Sequence, residues 1–171
     1  MKTSDYKAVS ISDVFNIKYG KVMPKSNLKK YGTDVFGANG KIGSTNLPPL
    51  VKERTVAITS RGTGSGKVQV IKENSFLTNN LLYIIDKYSL GIPFIYESIK
   101  NANPSKVVTG SAQPQLTIKN FSSINILIPQ HLYMDGYKVK MNVIENKIYE
   151  NKKENANLKR IKNILLKNYF D

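Results

Sequence analysis

Apolar residues follow two different rhythms along the 171-residue chain. Up to about residue 130 they come in short runs that alternate with polar positions and are broken by Gly and Pro, the mark of strands joined by turns. Thr55–Ser60 puts Val56 and Ile58 on one face, and Lys67–Ile71 does the same with Val68 and Val70. Between them, Arg61-Gly62-Thr63-Gly64-Ser65-Gly66 reads as a flexible hairpin loop. Phe76–Asp86 reads as one buried strand, Val35–Gly43 as a glycine-punctuated strand or turn, and Ile124, Ile126 and Ile128 alternate as a further strand. One helix is expected, with Pro93 near its start and Ile92, Ile95, Tyr96 and Ile99 on one face.

From Tyr137 onward the rhythm changes. There is no Gly or Pro to the end of the chain, and helix formers dominate. A 3-4 spacing runs through Tyr137, Met141, Ile144, Ile148, Asn151, Asn155, Leu158, Lys162, Leu165 and Tyr169, a coiled-coil type of stripe. Asn151 and Asn155 interrupt it, either as a partly solvated middle or as buried amides that fix register. A helix of this length extends about 51 Å at about 1.5 Å per residue. The rest of the chain offers no second long helix, so the stripe predicts a partner, most simply a second copy. The expected fold class is α+β. A mostly β domain over 1–131 precedes a long coiled-coil helix for dimerisation and assembly over 132–171.

Composition changes the picture in one respect, charge. Lys and Arg number 26 against 12 Asp and Glu, a net charge of +14. Such an excess points to a polyanion, of which nucleic acid is the commonest, although a Lys- and Asn-rich composition also follows from an A+T-rich genome. No cysteine is present and His131 is the single histidine. That excludes disulfides, thiolate metal sites, cysteine nucleophiles and multi-histidine metal sites. The longest apolar run, Leu81–Ile85, is far below the ~18 residues of a membrane span. The opening residues Met1–Ser10 have no apolar h-region, so no signal peptide is expected. A cytoplasmic protein without membrane contact is expected.

Candidate chemistry sits in three turns. Gly62–Lys67 resembles a phosphate loop but fails its spacing, since Arg61 and Val68 stand where Gly and Ser or Thr are required. Its glycines can still admit phosphates to backbone amides, and Arg61 is suited to guanine. Otherwise it is an ordinary hairpin. Gly37–Gly43 offers Asn39 and Lys41, and Thr109–Pro114 offers Ser111 and Gln113, the latter either a base reader or a structural turn residue. Acidic residues are scattered. Glu145-Asn146-Lys147 has a nuclease-like spacing but falls on the helix, where such mixtures are expected.

These turns occur in a recognisable order. Ile11-Ser12-Asp13-Val14-Phe15 with Ile17-Lys18-Tyr19-Gly20-Lys21, Val35-Phe36-Gly37-Ala38-Asn39-Gly40, Thr55–Gly66, Gly110-Ser111-Ala112-Gln113-Pro114, Ile126-Leu127-Ile128-Pro129, and Asn157-Leu158-Lys159-Arg160 through Leu165-Leu166 together resemble the specificity subunits of type I restriction–modification enzymes. The resemblance implies a non-catalytic subunit. It would bind double-stranded DNA and direct methyltransferase and endonuclease subunits to a bipartite target. It would hold no cofactor itself, S-adenosylmethionine belonging to the methyltransferase. A full subunit of this kind has two recognition domains and two antiparallel helices, and this chain has one of each, like a half-subunit. The alternative is a recognition domain from a larger single-chain restriction–methylation enzyme. Gln130–Gly136 departs from the family pattern at the helix start. Candidate DNA contacts are Lys21, Asn39, Lys41, Arg61, Thr63, Ser65, Lys67, Ser111 and Gln113. Candidate dimer-helix positions are Met141, Ile144, Ile148, Asn151, Asn155, Leu158 and Leu165. An RNA- or membrane-binding adaptor is disfavoured, because no aromatic stacking motif and no cationic helix with a bulky apolar face is present.

Overall fold

A computed structural model describes residues 6–129 and 135–170. It divides into two units, 1–133 and 134–171. Among the described residues of the first, nine strands run in the order β1 (Tyr6–Ser10), β2 (Phe15–Tyr19), β3 (Thr33–Gly37), β4 (Gly40–Thr45), β5 (Thr55–Thr59), β6 (Val68–Ile71), β7 (Ser75–Leu77), β8 (Leu81–Asp86) and β9 (Asn125–Pro129). Three helices are interspersed: α1 (Ile11–Val14), α2 (Ile92–Ala102) and α3 (Ile118–Ser122). The second unit is a single 36-residue helix, α4 (Asp135–Phe170). The α+β reading and the long C-terminal helix are both found.

The strands form three sheets, β2-β8-β5-β6, β4-β3-β7 and the pair β1-β9. All pairings are antiparallel except β3 with β7. Strand β5 is buried at every position because both its faces are covered. Val56 and Ile58, with Leu82 and Ile84 of β8, point into the larger core, which takes in Ile11, Phe15, Ile95, Ile99, Leu116, Phe121 and Ile126. Ala57, Leu81 and Tyr83 point the other way, into a smaller core with Ile71 and Leu77. Val68 packs on the larger core, whereas Val70 on edge strand β6 is 39% exposed.

The expected helix is α2, with Pro93 in its first turn and Ile95 and Ile99 buried. Asn103 closes it in the left-handed conformation at φ +53°. The expected strand Phe76–Asp86 is instead two strands, β7 and β8, separated by a turn at Thr78–Asn80. The reason is local. Thr78-Asn79-Asn80 interrupts the apolar run with poor strand formers, and the Leu81 amide closes the turn on the Thr78 carbonyl at 3.0 Å.

Along α4 the side chains of the stripe are exposed or half-exposed from Met141 to Tyr169. Ile144, Ile148, Leu158 and Leu165 are each 44–55% exposed. Gln130–Met134, with His131, lie outside the described residues, as do the side chains of Asp135–Lys138.

Candidate nucleic-acid interface

Strand direction decides where the turns go. β2, β3, β5 and β7 all run toward one end of the first unit, while β4, β6 and β8 start there. That end therefore gathers Gly20-Lys21, Ala38-Asn39, Ser60–Lys67 and Thr78–Asn80. Hydrogen bonds hold these segments together. The Thr59 hydroxyl donates to the Ala38 carbonyl at 2.8 Å, and the Gln69 side-chain carboxamide Nε2 donates to that of Gly37 at 3.2 Å. A methyl group placed on Gly64 would lie 3.7 Å from Asn39 Oδ1, so the β3–β4 tip borders the β5–β6 loop.

The third turn joins them. The Gly62 amide donates to the Pro114 carbonyl at 3.0 Å, and the Leu116 amide to that of Ser60 at 2.8 Å. Thr109 and Gln115 exchange amide–carbonyl bonds at 3.0 and 2.8 Å, closing a loop whose tip, Ser111-Ala112-Gln113, is exposed. The β5–β6 loop is braced rather than free. The Ser65 hydroxyl reaches the carbonyls of Gly62 at 2.8 Å and Pro114 at 3.0 Å. Gly66, at φ +91°, packs so closely on the 3-10 turn Pro104–Val107 that a Cβ would sit 2.6 Å from the Ser105 nitrogen. Lys21 is set by the turn beside it. Its amide donates to Leu77 at 2.9 Å, its carbonyl accepts from Asn79 at 3.0 Å, and Gly20 fits only because it lacks a Cβ, which would lie 2.1 Å from the Thr78 carbonyl.

The structure thus brings Lys21, Asn39, Arg61, Thr63, Ser65 and Lys67 to one end, with the Ser111 and Gln113 loop bonded to it. Lys21, Asn39, Arg61, Thr63, Lys67, Ser111 and Gln113 are exposed, and Ser65 is half-buried with its hydroxyl turned inward. Among the described residues, no carboxylate pairs with Lys21, Arg61 or Lys67. Lys41 behaves differently. Asp34, on β3, accepts from the ammoniums of Lys41 at 2.8 Å and Lys72 at 2.6 Å. Lys41 is registered against Phe36, two residues nearer the tip than Asp34, so its charge is drawn back along the sheet. Burial pushes the Asp34 carboxyl up, but the two lysines outweigh it and hold the group below its ordinary value. The turn at Thr78–Asn80 and the Asp34 clamp were not anticipated. The polar triplet inside Phe76–Asp86 is the signal that could have found the turn.

The end offers cations, hydroxyls, amides and carboxamides. These suit phosphate oxygens and base edges. No cluster of three metal-ligating side chains occurs among the described residues. No helix among them is long and apolar enough to cross a membrane.

The sequence profile described as "Type I restriction modification DNA specificity domain" matches residues 3–160. The chain belongs to this family. No curated protein sequence matches it. Among solved structures, it resembles the type I restriction–modification S subunit from M. genitalium with a TM-score of 0.76 at 18% identity, over 99% of this chain and 46% of that one. A chain from a structure on "complex assembly" and "conformational transition of the type I R-M system" gives 0.63 at 18% identity over 98% and 46%. The HsdS subunit from Thermoanaerobacter tengcongensis gives 0.61 at 17% identity over 98% and 45%. At these identities the likeness is one of fold. The chain spans a little under half the length of these subunits.

Proposed function

We propose that this specificity domain binds double-stranded DNA through the gathered turn end and selects the site at which methyltransferase and endonuclease subunits act. The observation that carries the reading is convergence. Turns separated by up to about 90 residues of sequence meet at one end, and their cations Lys21, Arg61 and Lys67 carry no carboxylate partner among the described residues. The domain contributes selection, not chemistry, and needs no cofactor. S-adenosylmethionine belongs to the methyltransferase. Such work places the protein with the DNA in the cytoplasm.

Binding titrations at several salt concentrations test this. Arg61→Ala is expected to cost about 1–3 kcal/mol on the preferred duplex and to relax preference at one position. Lys67→Ala should weaken all duplexes alike and lower the magnitude of the salt slope by about 0.9, one phosphate. Wild-type behaviour of both variants would remove the turn end from the interface.

The reading extends to a homodimer through α4 and a two-part, symmetric target. An antiparallel pair that sets Asn151 against Asn155 of a second copy also sets Ile148 against Leu158, Ile144 against Lys162 and Met141 against Leu165. One offset satisfies the whole stripe, with the Lys162 stem lying over Ile144. On the flank, Glu145 then comes opposite Lys159. Two identical readers in inverted orientation would select inverted half-sites around an unread spacer. Light scattering at micromolar concentration should give a dimer, and a methylated site without two-fold symmetry would overturn this extension.

A further inference from the structure

We infer that the Thr78–Asn80 turn is a fourth reading element, in which the Asn80 carboxamide reads a base edge. The inference rests on the DNA-recognition reading above. The turn lies at the crossing of the others. The Thr78 amide donates to the Phe36 carbonyl at 2.9 Å, just before the β3–β4 tip. The Asn79 amide donates to Lys21 at 3.0 Å. The Asn80 carbonyl accepts from the Ser60 amide at 2.8 Å, just before Arg61, and the Asn79 carbonyl accepts from the Ser60 hydroxyl at 3.4 Å. Ser60 itself is wholly buried. The backbone of the turn is thus fixed by the segments that carry Lys21, Asn39 and Arg61.

The Asn80 side chain has no such employment. It is exposed, and it makes no hydrogen bond among the described residues. Two common structural reasons for asparagine in a turn are missing. Its φ is not positive, unlike that of Asn74 or Asn103, and its carboxamide does not bond back to the chain as in an Asx-turn. What remains is a donor–acceptor pair on a short, two-torsion side chain, held on a rigid turn beside Lys21. That group matches the adjacent acceptor and donor of adenine in a major groove. Ordering it on DNA costs little, because the backbone beneath is already fixed.

The test uses the full chain and a pool of random-sequence duplexes. Selection from the pool gives the preferred site, and titration against its single-base variants gives the discrimination at each position. Asn80→Ala should lose roughly 5- to 150-fold of discrimination at one position and leave the others intact. Its salt slope and melting temperature should match those of the wild type. If Asn80→Ala folds poorly, Asn80→Ser supplies the same readout with a small polar side chain. A variant that discriminates at every position as the wild type does, or that weakens all duplexes equally, would overturn the inference while leaving the recognition reading in place. A wild-type chain that selects nothing from the pool would defeat the recognition reading itself.

Discussion

The two units of this protein use apolar residues in opposite ways. In the first, β5 and β8 distribute alternate residues to two internal cores, and Ile11, Val56, Ile58, Leu82, Ile99 and Phe121 are wholly buried. In α4, Ile144, Ile148, Leu158, Ile161, Leu165 and Leu166 are all 44% exposed or more. A pattern satisfied inside the chain specifies a fold. A pattern left open is a face that the proposed second helix would cover, and full burial of each such side chain is worth about 1.5–3 kcal/mol. The first unit also carries its exposed polar turns at the ends of the strands that build those cores.

Core truncation should break this contrast most severely. Phe121→Ala removes a wholly buried ring from the larger core and should cost about 3–5 kcal/mol. Chemical denaturation followed by circular dichroism would record it as a lower midpoint, and a loss under 1 kcal/mol would mean that the core is not the scaffold described. The helix should respond in another currency. Ile148→Asp with Leu158→Asp is expected to give a monomer by light scattering, with weaker DNA binding, while the first unit unfolds at an unchanged denaturant concentration. A double variant that stays dimeric would refute pairing through the stripe.

Much of this contrast was legible in the residues, for physical reasons. Alternation fixed Val56 and Ile58 on one face, and the 3-4 spacing with no Gly or Pro marked α4. Glycine spacing marked the β5–β6 hairpin, but its stiffness was invisible, because the Ser65 bond to Pro114 joins positions 49 residues apart. The apolar content of Phe76–Asp86 concealed a turn whose polar triplet is only three residues long. Lys41 is a cation in a suitable turn by sequence, yet its charge is held by Asp34, which is visible only once β3 and β4 pair.

The smallest expected effect separates scaffold from reader at that clamp. Asp34 is largely buried, with 13% of its side chain exposed, and holds two half-exposed lysines. Asp34→Asn keeps the shape, and its side chain can still accept from the Ser44 hydroxyl, now 3.3 Å away. It removes the charge. With both lysines near the surface, the loss should be on the order of 1 kcal/mol at neutral pH. Its pH dependence identifies the cause. The folded carboxyl titrates below its ordinary value near 3.8, so the stabilisation is complete above that value and is lost as the pH falls through the lowered one. The stability difference between wild type and variant should therefore be constant from pH 7 to about pH 5 and shrink toward zero in stronger acid. A pH-independent difference would assign the effect to packing instead. Freed from Asp34, Lys41 and Lys72 become available to phosphates, so the variant should bind all duplexes slightly more tightly, with a steeper salt slope and unchanged base preference. A changed preference would instead make Asp34 part of how the β3–β4 tip is aimed.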